Sequence, residues 1–209
     1  MPIRILIADD HTIVRDGLRM ILESQSDFRI TGEAVTGREA VILAETLEPD
    51  VIIMDISMPE LNGIEAARMI SERIPKTRII ILSMHHTQEH VFRAIQAGAS
   101  GYILKESAGS HVVTAIRTVM KGLQYFCEGV DTPQKTSAGA QSPINSLSQR
   151  ELEVLQLVVE GKTSVEIAEL LSLSPKSIET YRSRLMQKLG TNNIPALVKF
   201  AILHGITSP

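Results

Sequence analysis

The chain has 209 residues, a formal net charge of −3, 44% hydrophobic residues and only 3% aromatic residues. This length is enough to bury one large core or two smaller ones without staples, and the single cysteine, Cys127, excludes an internal disulfide. The apolar runs are too short to span a bilayer, and the N-terminal residues do not resemble a signal peptide. We therefore expect a soluble, cytoplasmic protein with aliphatic cores and no membrane partner.

The first part of the chain alternates short β-branched runs with amphipathic stretches. The runs predict five strands, at residues 3–9, 28–34, 51–55, 78–83 and 101–104. Strands that alternate with helices form a parallel sheet that is covered on both faces. We therefore predict an α/β domain with a (βα)5 doubly wound parallel sheet. In such sheets the ligand site lies beyond the carboxyl ends of the strands.

The composition changes after this α/β pattern. Residues 131–146 lack apolar periodicity and are rich in Ser, Thr, Pro, Gly and Gln, which is typical of a linker. Beyond them four helices are predicted, at residues 151–159, 164–171, 178–189 and 194–204. Gly161 and Gly190 would end the first and third, and Ser174 would cap the third, with Pro175 at its first position. We divide the chain into a domain at residues 3–123, a linker at 124–142 and an all-α domain at 143–209.

Polar side chains end four of the five predicted strands and would meet at one edge of the sheet. They are Asp9 and Asp10, Asp55, Ser83, and Lys105. Any one of them alone is usually an ordinary loop residue, but their coincidence at successive strand ends favours a shared site. Three converging carboxylates would not all stay ionised without a cation, and oxygen ligands suit Mg²⁺. The sequence therefore predicts a magnesium site.

Four motifs in this region resemble the receiver domain of bacterial two-component response regulators. They are ADDH (8–11), MDISMPELNG (54–63), LSMH (82–85) and GYILKE (101–106). The resemblance covers about residues 3–123 and implies a flavodoxin-like fold. It also implies that Asp55 is the phosphoacceptor, which takes a phosphoryl group from the phosphohistidine of a sensor histidine kinase.

The same resemblance assigns roles to the residues around Asp55. Asp10 would bind Mg²⁺ directly and Asp9 through water, with Asp55 and the backbone carbonyl of Ser57 completing the protein ligands. The residues implied to hold or sense the phosphoryl group are Lys105, Ser83 and Tyr102, of which Tyr102 would move together with Ser83. The histidines His11, His85, His86 and His90 fit no zinc-ligand spacing, and we interpret them as ordinary loop or helix-surface residues.

Residues 147–190 resemble the LuxR-type helix-turn-helix of the NarL/FixJ response regulators. The resemblance rests on LSQRELEVL (147–155) and IAELLSLSPKSI (167–178), and it implies that the third helix enters the major groove of double-stranded DNA. Periodicity predicts that this helix packs through Ile178, Tyr181, Leu185 and Leu189. The residues expected to contact DNA are Lys176, Glu179, Thr180, Ser183, Arg184, Gln187 and Lys188.

On a helix outside this context, the same polar face would simply be solvated. By analogy with the family, Glu179, Thr180 and Ser183 would read bases, while Lys176, Arg184 and Lys188 would contact phosphates. Glu179 stands where some relatives have Lys, so it would accept from cytosine N4 and alter the specificity. Arg182 lies near the edge of the packing face, and we expect it to pair with Glu151. Acidic and basic side chains are nearly balanced in this region, so DNA binding must depend on their placement.

These features favour a DNA-binding transcriptional regulator rather than an enzyme. Phosphorylation of Asp55 would promote formation of a homodimer and binding to promoters. One alternative is an aspartate-dependent phosphatase, but those carry a D-x-D nucleophile motif on the first strand, and ADDH lacks that spacing. Another is a regulator controlled by protein partners without phosphate, which usually has a damaged acid pair or lysine. Both features are intact here.

Overall fold

The computed structural model describes residues 1–127 and 143–207, which belong to two separate units of the chain. The first unit is built on a parallel sheet with the strand order β2-β1-β3-β4-β5-β6. The strands are β1 (Ile3–Ala8), β2 (Phe28–Ala34), β3 (Val51–Asp55), β4 (Arg78–Ser83), β5 (Gly101–Leu104) and β6 (Tyr125–Phe126). The change of direction in this order lies between β1 and β3, where a doubly wound sheet places its ligand site.

Five helices cover the two faces of the sheet, as predicted. They are α1 (Thr12–Glu23), α2 (Gly37–Leu47), α3 (Gly63–Arg73), α4 (Gln88–Gln96) and α5 (Ala108–Met120). Side chains alternate along β1, so that Leu6 and Ala8 join the core with α2, α3 and α4, whereas Ile5 and Ile7 join the core with α1 and α5. Because both faces are buried, residues 5–8, 51–54 and 79–82 of the central strands are all apolar.

The sheet has one strand more than the sequence predicted. Tyr125 and Phe126 pair with Gly101 and Tyr102 of β5, and the Cys127 N–H donates to the Tyr102 carbonyl at 3.2 Å. Residues 125–127 therefore belong to the first unit, and the expected start of the linker at residue 124 is wrong. A two-residue edge strand is too short to give a period-2 signal. The rest of the expected linker, residues 128–142, lies outside the described residues.

The second unit has the four helices that the periodicity predicts. They are α6 (Gln149–Val159), α7 (Ser164–Leu171), α8 (Pro175–Lys188) and α9 (Ile194–Leu203), preceded by a short 3₁₀ turn at Pro143–Ser146. Ser174 caps α8 by accepting from the Ser177 N–H at 3.1 Å. Gly161 and Gly190 adopt positive φ values of 85° and 62° beyond the ends of α6 and α8, as expected of glycines that end helices.

The helices of the second unit pack around their own aliphatic core. Ile178 and Leu185 of α8 are fully buried, with Tyr181 and Leu189 packed beside them, which confirms the predicted packing face. Two capping boxes, Ser148 with Glu151 and Thr163 with Glu166, fix the first turns of α6 and α7. Within the described residues, the helices are too short or too polar to cross a membrane.

Candidate functional sites

An acidic cluster lies at the carboxyl ends of β1 and β3. Asp9 directly follows β1 and Asp55 ends β3, and both side chains are almost fully buried. One ligand atom from each of Asp9, Asp10, His11 and Asp55 lies within 4.8 Å of the others. The structure therefore brings together the three carboxylates that the sequence predicted to converge.

Gly63 holds the loop after β3 close to this cluster. A Cβ atom at Gly63 would lie 1.8 Å from the Asp55 carbonyl oxygen, so only glycine fits where α3 begins. The Gly63 N–H also donates to the Ile56 carbonyl at 2.7 Å, which closes the loop that contains Ser57. The half-buried Ser57 follows Asp55 by two residues in this fixed loop.

Lys105, which follows β5, binds two of the carboxylates. Its Nζ lies 2.9 Å from Asp9 Oδ2 and 3.0 Å from Asp55 Oδ2. Burial and the negative charge of Asp9 raise the pKa of Asp55 to about 6, although Lys105 opposes them. Burial by itself lowers the pKa of Lys105, but the attraction of Asp55 and Asp9 outweighs it and raises that pKa. Lys105 is thus a permanent cation within the site.

The cluster fits a hard divalent cation such as Mg²⁺. Three buried carboxylate oxygens, Asp9 Oδ2, Asp10 Oδ1 and Asp55 Oδ2, contact no donor among the described residues other than Lys105 and His11. Asp9 and Asp55 have only the ion pair with Lys105 at these oxygens, and Asp10 Oδ1 lies 2.8 Å from His11 Nδ1. One lysine leaves three carboxylates incompletely neutralised, and oxygen donors are the ligands that Mg²⁺ prefers.

Ser83 and Tyr102 are joined through the loop that follows β4. Ser83 Oγ accepts from the His85 N–H at 2.9 Å, and the Tyr102 hydroxyl donates to the His85 carbonyl at 2.6 Å. Both side chains are buried, and burial raises the pKa of Tyr102 to about 12. Ser83 and Tyr102 thus bind the two backbone groups of one residue, His85.

The outer face of α8 carries all the residues expected to contact DNA. Lys176, Glu179, Thr180, Ser183, Arg184, Gln187 and Lys188 are exposed. The Thr180 hydroxyl donates to the Lys176 carbonyl one turn earlier at 3.0 Å, so it would have to rotate to reach a base.

Two charged residues of α8 have partners that the sequence did not predict. Lys188 Nζ lies 2.7 Å from Glu151 Oε2 and 2.9 Å from the Ser146 carbonyl, so this ammonium binds the start of α6 rather than pointing freely outward. The expected pair of Arg182 with Glu151 is wrong, because Arg182 Nη1 donates to Ser164 Oγ at 3.0 Å. Helical periodicity gives the face on which a side chain lies, but not which neighbour a long side chain reaches.

Comparison with protein families agrees with both halves of this architecture. The family described as "Response regulator receiver domain" matches residues 5–117, and "Bacterial regulatory proteins, luxR family" matches residues 145–201. The chain belongs to the NarL/FixJ-type response regulators.

Relatives and solved structures match along almost the whole response regulator. Response regulator UvrY of Escherichia coli (strain K12) is 38% identical, over 98% of this chain and 95% of UvrY. Oxygen regulatory protein NreC of Staphylococcus aureus (strain MRSA252) is 39% identical, over 95% of this chain and 96% of NreC. The RcsB response regulator of Salmonella typhimurium is 30% identical with a TM-score of 0.59, over 97% and 98% of the two chains. A structure of two RcsB dimers bound to two parallel DNAs is 29% identical with a TM-score of 0.59, over 99% and 100%.

His11 and His90 are placed differently from the sequence interpretation, whereas His85 and His86 lie in the loop after β4 as expected. His11 lies within the acidic cluster, 2.8 Å from Asp10. His90 is buried rather than exposed on α4, and its ring stacks on that of His85 at 4.5 Å with an interplanar angle of 9°. The spacing of residues 85 and 90 gave no signal for this stack, because the two rings meet across a loop. His11 was identifiable, since it directly follows the acid pair.

Proposed function

We propose that this response regulator couples phosphorylation of Asp55 to DNA binding by α8. The observation that carries the proposal is the convergence of Asp9, Asp55 and Lys105, with nitrogen-to-oxygen distances of 2.9 Å and 3.0 Å. Such a site pairs one lysine with several carboxylates, so carboxylate oxygens remain that can bind a divalent cation. The role proposed is regulatory rather than enzymatic, since a turnover enzyme would leave the DNA-binding unit without a purpose. The cytoplasm, where DNA is accessible and a lone cysteine stays reduced, is the compartment we propose.

Phosphoryl transfer would come from a histidine kinase. An oxygen of the ionised Asp55 carboxylate attacks the phosphorus of a phosphohistidine, a P–O bond forms, and the P–N bond breaks with its electron pair leaving on the imidazole nitrogen. A pKa of about 6 leaves most of Asp55 ionised at neutral pH. Mg²⁺, held by Asp9, Asp10, Asp55 and the Ser57 carbonyl, would neutralise charge on the transferring group.

The product would change the partners of Lys105 and Ser83. Lys105 now shares its charge between two carboxylates, and after transfer it would bind a phosphoryl oxygen instead. The Ser83 hydroxyl would turn to donate to another phosphoryl oxygen. That rotation would remove the acceptor from the His85 N–H and release the loop to which Tyr102 is bonded.

The phosphorylation step is tested by incubating the protein with a small phosphodonor and Mg²⁺. Mass spectrometry should find one base-labile phosphoryl group on Asp55 in the wild type and none in Asp55→Asn. Asp10→Ala should lose labelling that depends on Mg²⁺, while Asp16→Ala, which removes an exposed acid of α1, should label normally. Labelling of Asp55→Asn at the wild-type rate would contradict the assignment.

The output we propose is a dimer that binds a two-fold DNA site. A dimer is supported by the outer face of α9, where Ile194, Val198, Ile202 and Leu203 line an apolar surface and Leu203 is 70% exposed. A second copy of this face would cover that surface. The RcsB dimers bound to DNA offer a precedent within the family.

Base reading by α8 is tested at Thr180 and Ser183. Each alanine substitution should weaken binding to the cognate site by about 1–3 kcal/mol and shift the preferred sequence, while leaving helix content unchanged. Thr118→Ala is the matched control, because Thr118 makes the same bond to a carbonyl four residues earlier, at 2.8 Å, on α5 of the other unit. Unchanged binding of the Thr180 and Ser183 variants in a footprinting titration would show that α8 does not read the groove through these residues.

A further inference from the structure

Glu179, on the outer face of α8, is held by a hydrogen-bonded chain that starts on α7. The hydroxyl of Ser164, the first residue of α7, donates to Glu179 Oε1. The same Ser164 oxygen accepts from Arg182 Nη1 at 3.0 Å. We call Ser164, Glu179 and Arg182 the Ser164 bridge. It joins the first residue of α7 to the middle of α8 without using the aliphatic core.

The bridge orders a carboxylate that would otherwise move freely. Glu179 is exposed, and an exposed glutamate normally samples many rotamers. Here the half-buried guanidinium of Arg182 donates to the Ser164 oxygen, which polarises the hydroxyl and strengthens its bond to Glu179. Arg182 thus acts on Glu179 through an intervening hydroxyl. The carboxylate keeps its negative charge, but its position becomes defined.

One oxygen of this carboxylate remains available. Glu179 Oε1 accepts the hydrogen bond from the Ser164 hydroxyl, whereas Oε2 accepts no hydrogen bond from residues 1–127 and 143–207. Glu179 lies one helical turn before Ser183 and borders the exposed stripe that also contains Thr180. An ionised carboxylate only accepts hydrogen bonds, so it is repelled by the O6 and N7 acceptors of guanine and by O4 of thymine. Adenine also offers an amino group, but its neighbouring N7 acceptor repels a carboxylate, which leaves the amino group of cytosine as the donor that a carboxylate reads in the major groove.

We infer that Ser164 is a positioning residue whose bridge makes Glu179 select cytosine at one position of the DNA site. The inference rests on the proposed DNA-binding function of α8 and goes further by naming the base and the residue that orients its reader. Without the bridge, Glu179 would turn toward solvent, because phosphates on both sides of the groove repel it. The preference for cytosine would then fade although the carboxylate was still present.

The test uses the full-length protein and selection from a pool of double-stranded oligonucleotides with randomised sites, followed by titration of single-base variants. The wild type should favour cytosine over the other bases at one position by at least about fivefold. Glu179→Gln should abolish that preference, since an amide both donates and accepts. Ser164→Ala should reduce it at least about threefold, and Ser164→Thr, which retains the hydroxyl, should restore it.

Glu169→Gln is the matched control, because it removes the same charge from an exposed position of α7 that has no contact with the bridge. It should leave the base preference unchanged. Selection of the same bases by Glu179→Gln and the wild type would overturn the inference, as would a full preference in a folded Ser164→Ala variant. If Ser164→Ala does not fold, Ser164→Gly, which also lacks the hydroxyl, takes its place in the same comparison. A wild type that selects no sequence would refute the proposed function instead.

Discussion

The two units of this response regulator hold their functional charges in opposite environments. In the first unit, Asp9 and Asp55 are buried and each lies within 3.0 Å of the largely buried Lys105, whereas in the second the charged residues of α8 other than Arg182 are exposed. Buried charges in a medium of low dielectric depend strongly on one another, whereas exposed charges are screened by salt and act nearly independently. The first arrangement suits a site that must respond to one covalent event. The second suits a surface that sums many weak contacts with DNA.

Removing the largely buried cation, Lys105, should have the largest effect on the free energy of unfolding. Lys105→Ala removes the cation that binds Asp9 Oδ2 and Asp55 Oδ2, so we expect it to lower the free energy of unfolding of the first unit by about 4 kcal/mol at pH 8 in EDTA. Urea denaturation measures this loss, which added Mg²⁺ should partly reverse. Lys121→Ala, at an exposed position, should change the free energy by less than about 0.5 kcal/mol. Equal effects of the two substitutions would mean that the acid pair does not depend on Lys105.

Removing the buried acid, Asp55, should instead raise the free energy of unfolding. Burial and Asp9 raise the pKa of Asp55 from 3.8 to about 6, so folding disfavours the ionised form. Protonation of Asp55 in the folded state therefore contributes about 3 kcal/mol to the free energy of unfolding. This contribution is fully present below pH 3.8 and is lost as the pH rises through 6. We therefore expect Asp55→Asn to stabilise the metal-free protein at pH 8 by up to that amount, with no gain near pH 4.

Urea midpoints across this pH range measure the difference, and Asp16→Asn, at an exposed aspartate, should show no comparable trend. A stabilisation by Asp55→Asn that is the same at pH 4 and pH 8 would rule out the ionisation of Asp55 as its cause.

The same contrast explains what the sequence could predict. Asp9, Asp55 and Lys105 could be placed together because parallel strands end at one edge of a sheet, which is a topological rule that needs no side-chain detail. The packing face of α8 followed from the helical period for a similar reason. The partners of Lys188, Arg182 and Glu179 could not be predicted, because each depends on which rotamer of a long side chain reaches which neighbour. Strand β6 also lacked a signal, since two residues show no period.

The smallest of these effects distinguishes the roles that we expect for Lys188 and Arg184 on α8. Lys188 is 40% exposed and binds Glu151 Oε2 at 2.7 Å, so its pair is only partly buried. The pKa of Glu151, which burial tends to raise, is lowered on balance by Lys188 and the Ser148 cap. We therefore expect Lys188→Ala to lower the free energy of unfolding of the second unit by about 1 kcal/mol.

Arg184, one helical turn before Lys188, is exposed and has no ion pair among the described residues. Arg184→Ala should therefore leave stability unchanged but reduce the slope of log K against log salt concentration by about 0.9, as the loss of one phosphate contact would. Lys188→Ala should show the reverse, with lower stability and an unchanged slope, because its ammonium is already neutralised by Glu151. Thermal melts and DNA titrations at several salt concentrations give both quantities for each variant. A reduced slope in Lys188→Ala would mean that Lys188 leaves Glu151 to bind a phosphate when DNA is present.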